Sequence, residues 1–295
     1  MNDPKWGPMW KEATDKEITA LAGNKTWVPK VLPKGANLVT SKWVFAVKYN
    51  PDGSVNKFKA RIVARGFSQK YGIDFEETFA PTVRHDTLRV FMAAVTQMDL
   101  ECHQVDVNNA FTESSLSEEI YMQPPAGVDV FPGQVLHVQR SLYGLKQAAR
   151  DWNKTCFKAL FKMGFTQSEA DPCLLMHPAK GLIILVYVDD ITIAAKDIKQ
   201  ISWFKDAFSQ IFKIKDLGEL SMILGVRVTR DRKRGTLRLD QTHYVKSTLA
   251  KLLMEKDTHR PTKSPMDSYD DLKPAKLTDV RCNKTIYQEL SLIHI

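Results

Sequence analysis

The chain has few cysteines, four among 295 residues, and none sits in a spacing that metal or redox chemistry uses. Cys102, Cys156, Cys173 and Cys282 form no C-x-x-C pair, and no histidine stands beside one in zinc-like register. A disulfide scaffold and a structural zinc are set aside on that ground. Buried, reduced thiols are expected instead, with Cys156 on the apolar face of a helix. The seven histidines fall outside any H-E-x-x-H or H-x-E context and receive no role. Long apolar runs are missing too: the longest, Leu182 to Val188, has seven residues, against about 18 for a membrane helix. Met1 to Trp10 lacks the apolar core of a signal peptide, so neither membrane insertion nor secretion is expected. Acidic residues are the minority, 34 against 42 basic, which leaves a net charge of +8. That excess points to a polyanionic partner such as nucleic acid. With 43% hydrophobic residues the chain is too apolar to be disordered, and its length suits one large or two modest domains.

The pattern of elements is α+β. Trp10 to Ala22 reads as a helix, and Trp43 to Tyr49 as a strand ended by the turn signal Asn50-Pro51-Asp52-Gly53. Phe58 to Gly66 completes a hairpin. Asp86 is placed as the N-cap of a helix over Thr87 to Met98, whose Leu88, Phe91, Met92 and Val95 recur at helical spacing. Cys102 to Val107 is strand-like. Ala148 to Met163 is helical, with Trp152, Cys156, Ala159, Leu160 and Met163 on one face. Leu182 to Ala195 reads as a buried hairpin with two carboxylates at its turn. Ser202 to Phe212 is an amphipathic helix carrying Phe204, Phe208 and Ile211. Ser221 to Asp240 is a hairpin and Thr242 to Met254 a helix, and beyond Lys256 the chain turns polar and reads as linker or tail.

Charge is uneven along this pattern. From Thr40 to Lys70 seven basic residues face Asp52 alone, and Lys59 and Arg61 alternate with apolar residues, so they share one side of a strand. One row of cations beside a turn is a cradle for phosphates. From Arg227 to Arg238 six basic residues face only Asp231, which reads equally as a solvated face or as a contact to a polyanion.

The sharpest feature is Tyr187-Val188-Asp189-Asp190. Adjacent carboxylates between apolar strands repel each other and lose hydration, a conflict that a divalent cation with hard oxygen ligands removes. Asp106 lies in a similar strand, Gln104-Val105-Asp106-Val107. Two strands that each carry an Asp can meet and hold two metals for in-line phosphoryl transfer. The residues alone leave two readings open, this chemistry and an ordinary Asp-Asp turn; the apolar flanks speak against the turn.

Several blocks in order widen the context. Lys59-Ala60-Arg61-Ile62-Val63-Ala64-Arg65-Gly66, Glu77 to Val83 ("ETFAPTV"), His103 to Phe111 ("HQVDVNNAF") and Glu118 to Pro125 ("EEIYMQPP") come first. Ser141 to Trp152 ("SLYGLKQAARDW"), Glu169 to Leu174 ("EADPCL"), "YVDD" and Lys215 to Val226 ("KDLGELSMILGV") follow. Together they resemble the reverse transcriptase of copia-type long-terminal-repeat retrotransposon Pol polyproteins, over about Trp10 to Met266. That resemblance implies an α+β right-handed polymerase of fingers, palm and thumb, with an antiparallel palm sheet carrying the Asp residues. Residues 1–100 would be an N-terminal segment and part of the fingers, and 101–226 the palm with inserted fingers elements. Residues 227–266 would end the primer-grip hairpin and begin a thumb, with 267–295 a linker or truncated tail.

By the same resemblance Asp106, Asp189 and Asp190 ligate two Mg2+ ions and carry the chemistry. Lys59, Arg61 and the backbone at Asn109 and Ala110 meet the triphosphate. Phe111 is the steric gate under the sugar, and Tyr143, Gly144 and Lys146 pack against the nascent base pair and template. Ile223, Leu224, Gly225 and Val226 resemble the primer grip. Expected partners are RNA and DNA template-primer and deoxynucleoside triphosphates, and no membrane. The expected location is a cytoplasmic retrotransposon particle or the nucleus. Ala149 stands where the family usually has Pro, and Thr112-Glu113-Ser114-Ser115 replaces an "LNGD"-like turn. Tyr287-Gln288-Glu289-Leu290 begins like the family's path to the connection, so a truncated copy is expected, with integrase and ribonuclease H encoded elsewhere. Against polymerisation stand a relic that only binds nucleic acid and a two-metal nuclease; the latter has no use for Phe111 or a primer grip.

Overall fold

A computed structural model describes residues 5–49 and 54–251. Two compact units divide the chain, Met1–Asp240 and Gln241–Ile295. Of the second, only the helix Thr242–Lys251 is described.

The centre of the first unit is a six-stranded antiparallel sheet. Its order across the sheet is Ile214–Glu219, Glu101–Val107, Asp190–Ala195, Leu182–Tyr187, Leu174–His177, Thr166–Gln167. Strand alternation sorts its side chains cleanly. Val105, Val107, Ile191 and Ile193 point to one face, where the helices Ala148–Lys162 and Ile198–Ser209 cover them with Trp152, Cys156, Leu160, Phe204 and Phe208. Burying such side chains is worth roughly 1.5–3 kcal/mol each, which makes this the strongest anchor of the unit. On the opposite face Cys102, Leu185 and Ala194 pack with Leu88, Phe91, Met92 and Val95 of the helix His85–Gln97. The strands Gly7–Gly23 faces are elsewhere: that helix lies against Val55–Ala64, the partner of Ser41–Tyr49 in a two-stranded ribbon. A four-stranded sheet (Trp27–Val31, Gln134–Arg140, Ser115–Met122, Leu38–Val39) belongs to the same unit; its last pair is parallel.

Several elements differ from expectation for local reasons. Asp86 lies inside the first turn of its helix, and Arg84, in extended conformation, takes the N-cap position without a side-chain cap. The helix placed at Ser202 begins four residues earlier. Asp197 and Gln200 form a reciprocal capping box there, Lys199 N–H donating to Asp197 Oδ1 at 2.9 Å and Asp197 N–H to Gln200 Oε1 at 3.0 Å. It ends at Ser209, which leaves Ile211 about half exposed and turns Phe212 inward. Ser221 to Asp240 is three strands, Met222–Ile223, Val226–Asp231 and Thr236–Asp240, because Leu224 and Gly225 both have positive φ (48° and 76°) and close an extra two-residue turn. The turn signal Asn50 to Gly53, Cys282, Met254 and the tail after Lys256 lie outside the described residues. Cys102, Cys156 and Cys173 are buried free thiols, pushed up by burial, Cys102 and Cys173 to about 12. Among the described residues no helix is long and apolar enough to cross a membrane.

Candidate active site

Asp106 and Asp190 stand directly opposite each other on neighbouring strands. Val107 N–H donates to the Asp189 carbonyl at 2.9 Å, so the Asp106–Asp190 pair beside it is of the kind not bridged by backbone hydrogen bonds. In such pairs side chains come closest, with Cβ atoms about 4.5–5.5 Å apart. Asp189 occupies the two-residue turn that joins the strands, after Val188. Val188 has φ of 53°, a conformation a β-branched residue avoids and one that costs of order 1–3 kcal/mol. Trp152 Nε1 donates to the Val188 carbonyl at 2.5 Å and ties the turn to the helix Ala148–Lys162. That bond over-determines the strained backbone and fixes where Asp189 and Asp190 leave the sheet.

Burial and mutual repulsion dominate the electrostatics. The Asp190 carboxyl is pushed up to about 6 by burial first, then by Asp189 and Asp106, with a hydrogen bond from Gln104 Nε2 (3.2 Å) opposing. Asp106 is raised by burial and by Asp189, and held back by Lys59, Lys215 and Arg61. Among the described residues no three acid, histidine or cysteine groups form a ready-made metal site. The donor set nonetheless fits a divalent cation. These are hard carboxylate oxygens, half dehydrated and short of partners, and Gln104 supplies just one donor.

The cations come from the ribbon. Along Val55–Ala64, Ala60, Ile62 and Ala64 turn inward while Lys59, Arg61 and Val63 share the other side. Lys59 is depressed by burial and by Arg61, Lys57 and Lys48, and Asp106 acts against that, so the row of cations and the carboxylates feel each other. The Arg61 guanidinium lies over the Tyr143 ring, 4.3 Å from its centroid, and Nη2 donates to Tyr143 Oη at 3.3 Å. Its Nε is buried with no partner. Glu17 accepts weakly from Ile62 N–H (3.4 Å) and is raised by burial while Arg61 and Lys59 lower it. Tyr143 in turn meets Phe111 edge to face at 4.7 Å. Phe111 is half-buried and touches both the helix-covered core of the large sheet and the core of the four-stranded sheet.

Backbone contacts set this junction. Gly144 has φ of +88°, and a Cβ there would lie 2.1 Å from the Ala64 carbonyl oxygen, so glycine is what lets the two segments touch. Ala64 N–H donates to the Tyr143 carbonyl at 2.8 Å. A buried glutamine pair locks the next residues: Gln69 Nε2 donates to Gln147 Oε1 at 3.0 Å, and Lys146 N–H to Gln69 Oε1 at 2.8 Å. Asn109 is left-handed (φ 51°) and opens the short helical turn Ala110–Glu113, its carbonyl accepting from Thr112 N–H at 2.8 Å. The Ala110 side chain is buried.

The structure therefore brings Asp106, Asp189, Asp190, Lys59, Arg61, Tyr143 and Phe111 into one neighbourhood, with Gly144, Asn109 and Ala110 in the adjoining backbone. It does not bring the Lys146 ammonium there; that group lies 4.3 Å over the Phe75 ring. The Ile223 to Val226 hairpin packs through Ile223 and Leu224 with Cys102, Leu185 and Ala194, on the same face of the sheet as Asp106 and Asp190. The second basic cluster is partly consumed by the fold. Arg230 donates to the Val95 carbonyl and to Asp99 (2.8 Å), and Arg232 to Asp99 and Glu101. Sequence reading missed Gln104, Lys215, Glu17, Gln69 and Gln147. For Gln104 a signal existed, since it stands two residues before Asp106 and so on the same face of its strand.

Comparison with known proteins follows the same lines. The family profile described as "Reverse transcriptase (RNA-dependent DNA polymerase)" matches residues 24–267. The chain is 37% identical over 279 residues to the retrovirus-related Pol polyprotein from transposon RE1 of Arabidopsis thaliana, covering 92% of this chain and 19% of that protein. It is 34% identical over 283 residues to the Pol polyprotein from transposon TNT 1-94 of Nicotiana tabacum, covering 94% of this chain and 21% of that one. The chain thus spans about a fifth of the length of these relatives. The foamy viral protease-reverse transcriptase in complex with ds DNA aligns over 85% of this chain and 37% of its own, at 13% identity and a TM-score of 0.39.

Proposed function

The chain belongs to the reverse transcriptase (RNA-dependent DNA polymerase) family, as that domain of copia-type transposon Pol polyproteins, and from this premise we propose that it extends a primer 3′-hydroxyl with deoxynucleotides on an RNA or DNA template. The observation that carries the reading is the meeting of three carboxylates with the Lys59–Arg61 row of cations. Asp106 and Asp189 would hold two magnesium ions, with Asp190 completing the cluster. Metals bound there supply activation of the primer hydroxyl and charge neutralisation at the triphosphate and the leaving pyrophosphate.

The chain's own side chains do the rest. Lys59 and Arg61 bind the triphosphate, and Tyr143 holds the guanidinium flat for it. The backbone at Asn109 and Ala110 contributes N–H groups to the same phosphates. Phe111, braced by Tyr143, lies beneath the sugar and excludes a 2′-hydroxyl by overlap. Gly144 lets the Tyr143–Lys146 segment approach the ribbon, where it supports the nascent base pair and template. The Ile223–Val226 turn steadies the primer terminus. In these terms residues 1–100 contain fingers, 101–226 the palm, and 227–266 the end of the primer grip and start of a thumb. Integrase and ribonuclease H functions would come from other parts of a Pol polyprotein.

Primer extension by the purified chain on RNA and DNA templates with magnesium tests this. Extension that Asp189→Asn abolishes supports it. Tight template-primer binding without extension would instead make the chain a relic that only binds nucleic acid.

A further inference from the structure

We propose that the outward face of the Ala148–Lys162 helix is a second nucleic-acid surface, which holds a single strand apart from the site of synthesis. Lys154, Lys158 and Lys162 recur every fourth residue and so form one stripe, each about 6 Å of helix rise from the next. All three are exposed, and among the described residues no ion pair joins them to an acid. The helix has a single acid of its own, Asp151, and that carboxylate turns inward to accept from Ser141 Oγ at 3.0 Å. Like charges at this spacing repel; Asp151 attracts Lys154, and among the described residues no ion pair offsets the repulsion at Lys158 and Lys162. A bound polyanion does.

The stripe borders an open groove of about 650 Å³. The buried Phe157 and Phe161, 46% exposed, line it beside the lysines, and the amides of Asn153 and Gln167 complete a lining that contains no acid. A row of ammonium groups beside an exposed ring suits a single strand. The cations meet successive phosphates, and the ring takes the face of an unstacked base, which a duplex keeps covered.

The position separates this surface from the carboxylates. The buried side of the same helix packs on Val105, Val107, Ile191 and Ile193, the face of the sheet opposite Asp106 and Asp190. A strand in the groove is therefore a different stretch from the one being copied. The binding readout of this inference does not depend on polymerisation; only its extension readout rests on the proposed function.

The test uses the full chain preloaded with excess blunt template-primer duplex, then titrated with labelled oligouridylate at several salt concentrations. Combined Lys154→Ala, Lys158→Ala and Lys162→Ala should weaken oligouridylate binding at least tenfold. The slope of log affinity against log salt should fall by about 2, from three phosphate contacts at about 0.7 each. Phe161→Ala should weaken binding with the slope unchanged. Extension of a short template should be unaffected in both variants. Unchanged affinity and slope in the triple variant would overturn the proposal. So would an equal loss of short-template extension, which would return the lysines to the main cleft. Polyglutamate competing as well as oligouridylate, with Phe161→Ala silent, would also overturn it and mark the face as one for an acidic protein.

Discussion

The molecule carries two basic clusters of similar size, seven residues between Thr40 and Lys70 and six between Arg227 and Arg238, and the fold uses them in opposite ways. Lys59 and Arg61 lie near enough to Asp106 to lower its carboxyl, and the Arg61 Nε is buried without any partner. Arg230 and Arg232 are instead closed around the Asp99 turn, where Arg230 reaches two carbonyls and a carboxylate. The first cluster has no ion pair to an acid among the described residues, and on the proposed function it is the charge that meets the triphosphate. In the other, Arg230 and Arg232 are already satisfied and tie the Val226–Asp231 strand to the end of the His85–Gln97 helix. The lesson is that a count of cations predicts a surface potential, while only the position of the acids decides whether that potential is available.

The contrast is sharpest at the acids. Asp106→Asn should reduce extension by at least a thousandfold, about 4 kcal/mol of transition-state stabilisation, with the melting temperature kept or raised as repulsion within the cluster is relieved. Asp99→Asn should do the reverse, lowering the melting temperature and leaving single-turnover extension near wild type. Extension surviving in Asp106→Asn would remove the distinction.

A smaller effect is expected at the ring between the two core regions. Phe111→Ala or Phe111→Val should lower the kcat/KM ratio of deoxynucleotide over ribonucleotide at least tenfold, about 1.4 kcal/mol of discrimination. If Phe111 only fills the core it shares with Tyr143, stability and total activity will drop together while that ratio stays put.

The smallest effect is a pH dependence. Asp190 rises from 3.8 to about 6 on folding, so the native state binds its proton more tightly than the unfolded chain does. Its contribution without divalent cation is therefore most favourable below about 3.8 and is lost as pH rises through about 6. Asp190→Asn should flatten that part of the stability profile, and Gln104→Leu, which removes the opposing hydrogen bond, should move it to higher pH. Thermal melts from acid to neutral pH with a chelator present would show both.

Much of this arrangement was legible in the sequence, and the remainder was hidden for physical reasons. Period-two alternation at Lys59 and Arg61, and the apolar runs around Asp189-Asp190, reported strand faces directly, because local geometry alone sets where such side chains go. The cross-strand register that pairs Asp106 with Asp190 was not local, since 84 residues separate them and any two strands could have paired. The same distance in sequence hid the fate of Arg230 and Arg232, whose acids lie about 130 residues upstream. Ile211 shows a different failure. Its helical spacing was right, but the helix stopped at Ser209, and periodicity does not say where a helix ends. Gln69 and Gln147 gave no signal at all, because a buried amide pair needs only two residues whose backbones happen to converge.

The division between the two clusters is tested most directly by nucleotide KM at saturating template-primer in two single variants, Arg61→Ala and Arg230→Ala, each with its melting temperature. Arg61→Ala should raise KM about tenfold or more, as loss of a charge-assisted contact worth about 1.5–3 kcal/mol implies, and leave the melting temperature nearly unchanged. Arg230→Ala should leave KM within twofold and cost about 2 kcal/mol of stability, roughly 4–8 °C, since the carbonyls it serves lose their donor. Equal changes in KM from the two variants, or a KM effect confined to Arg230→Ala, would contradict the account.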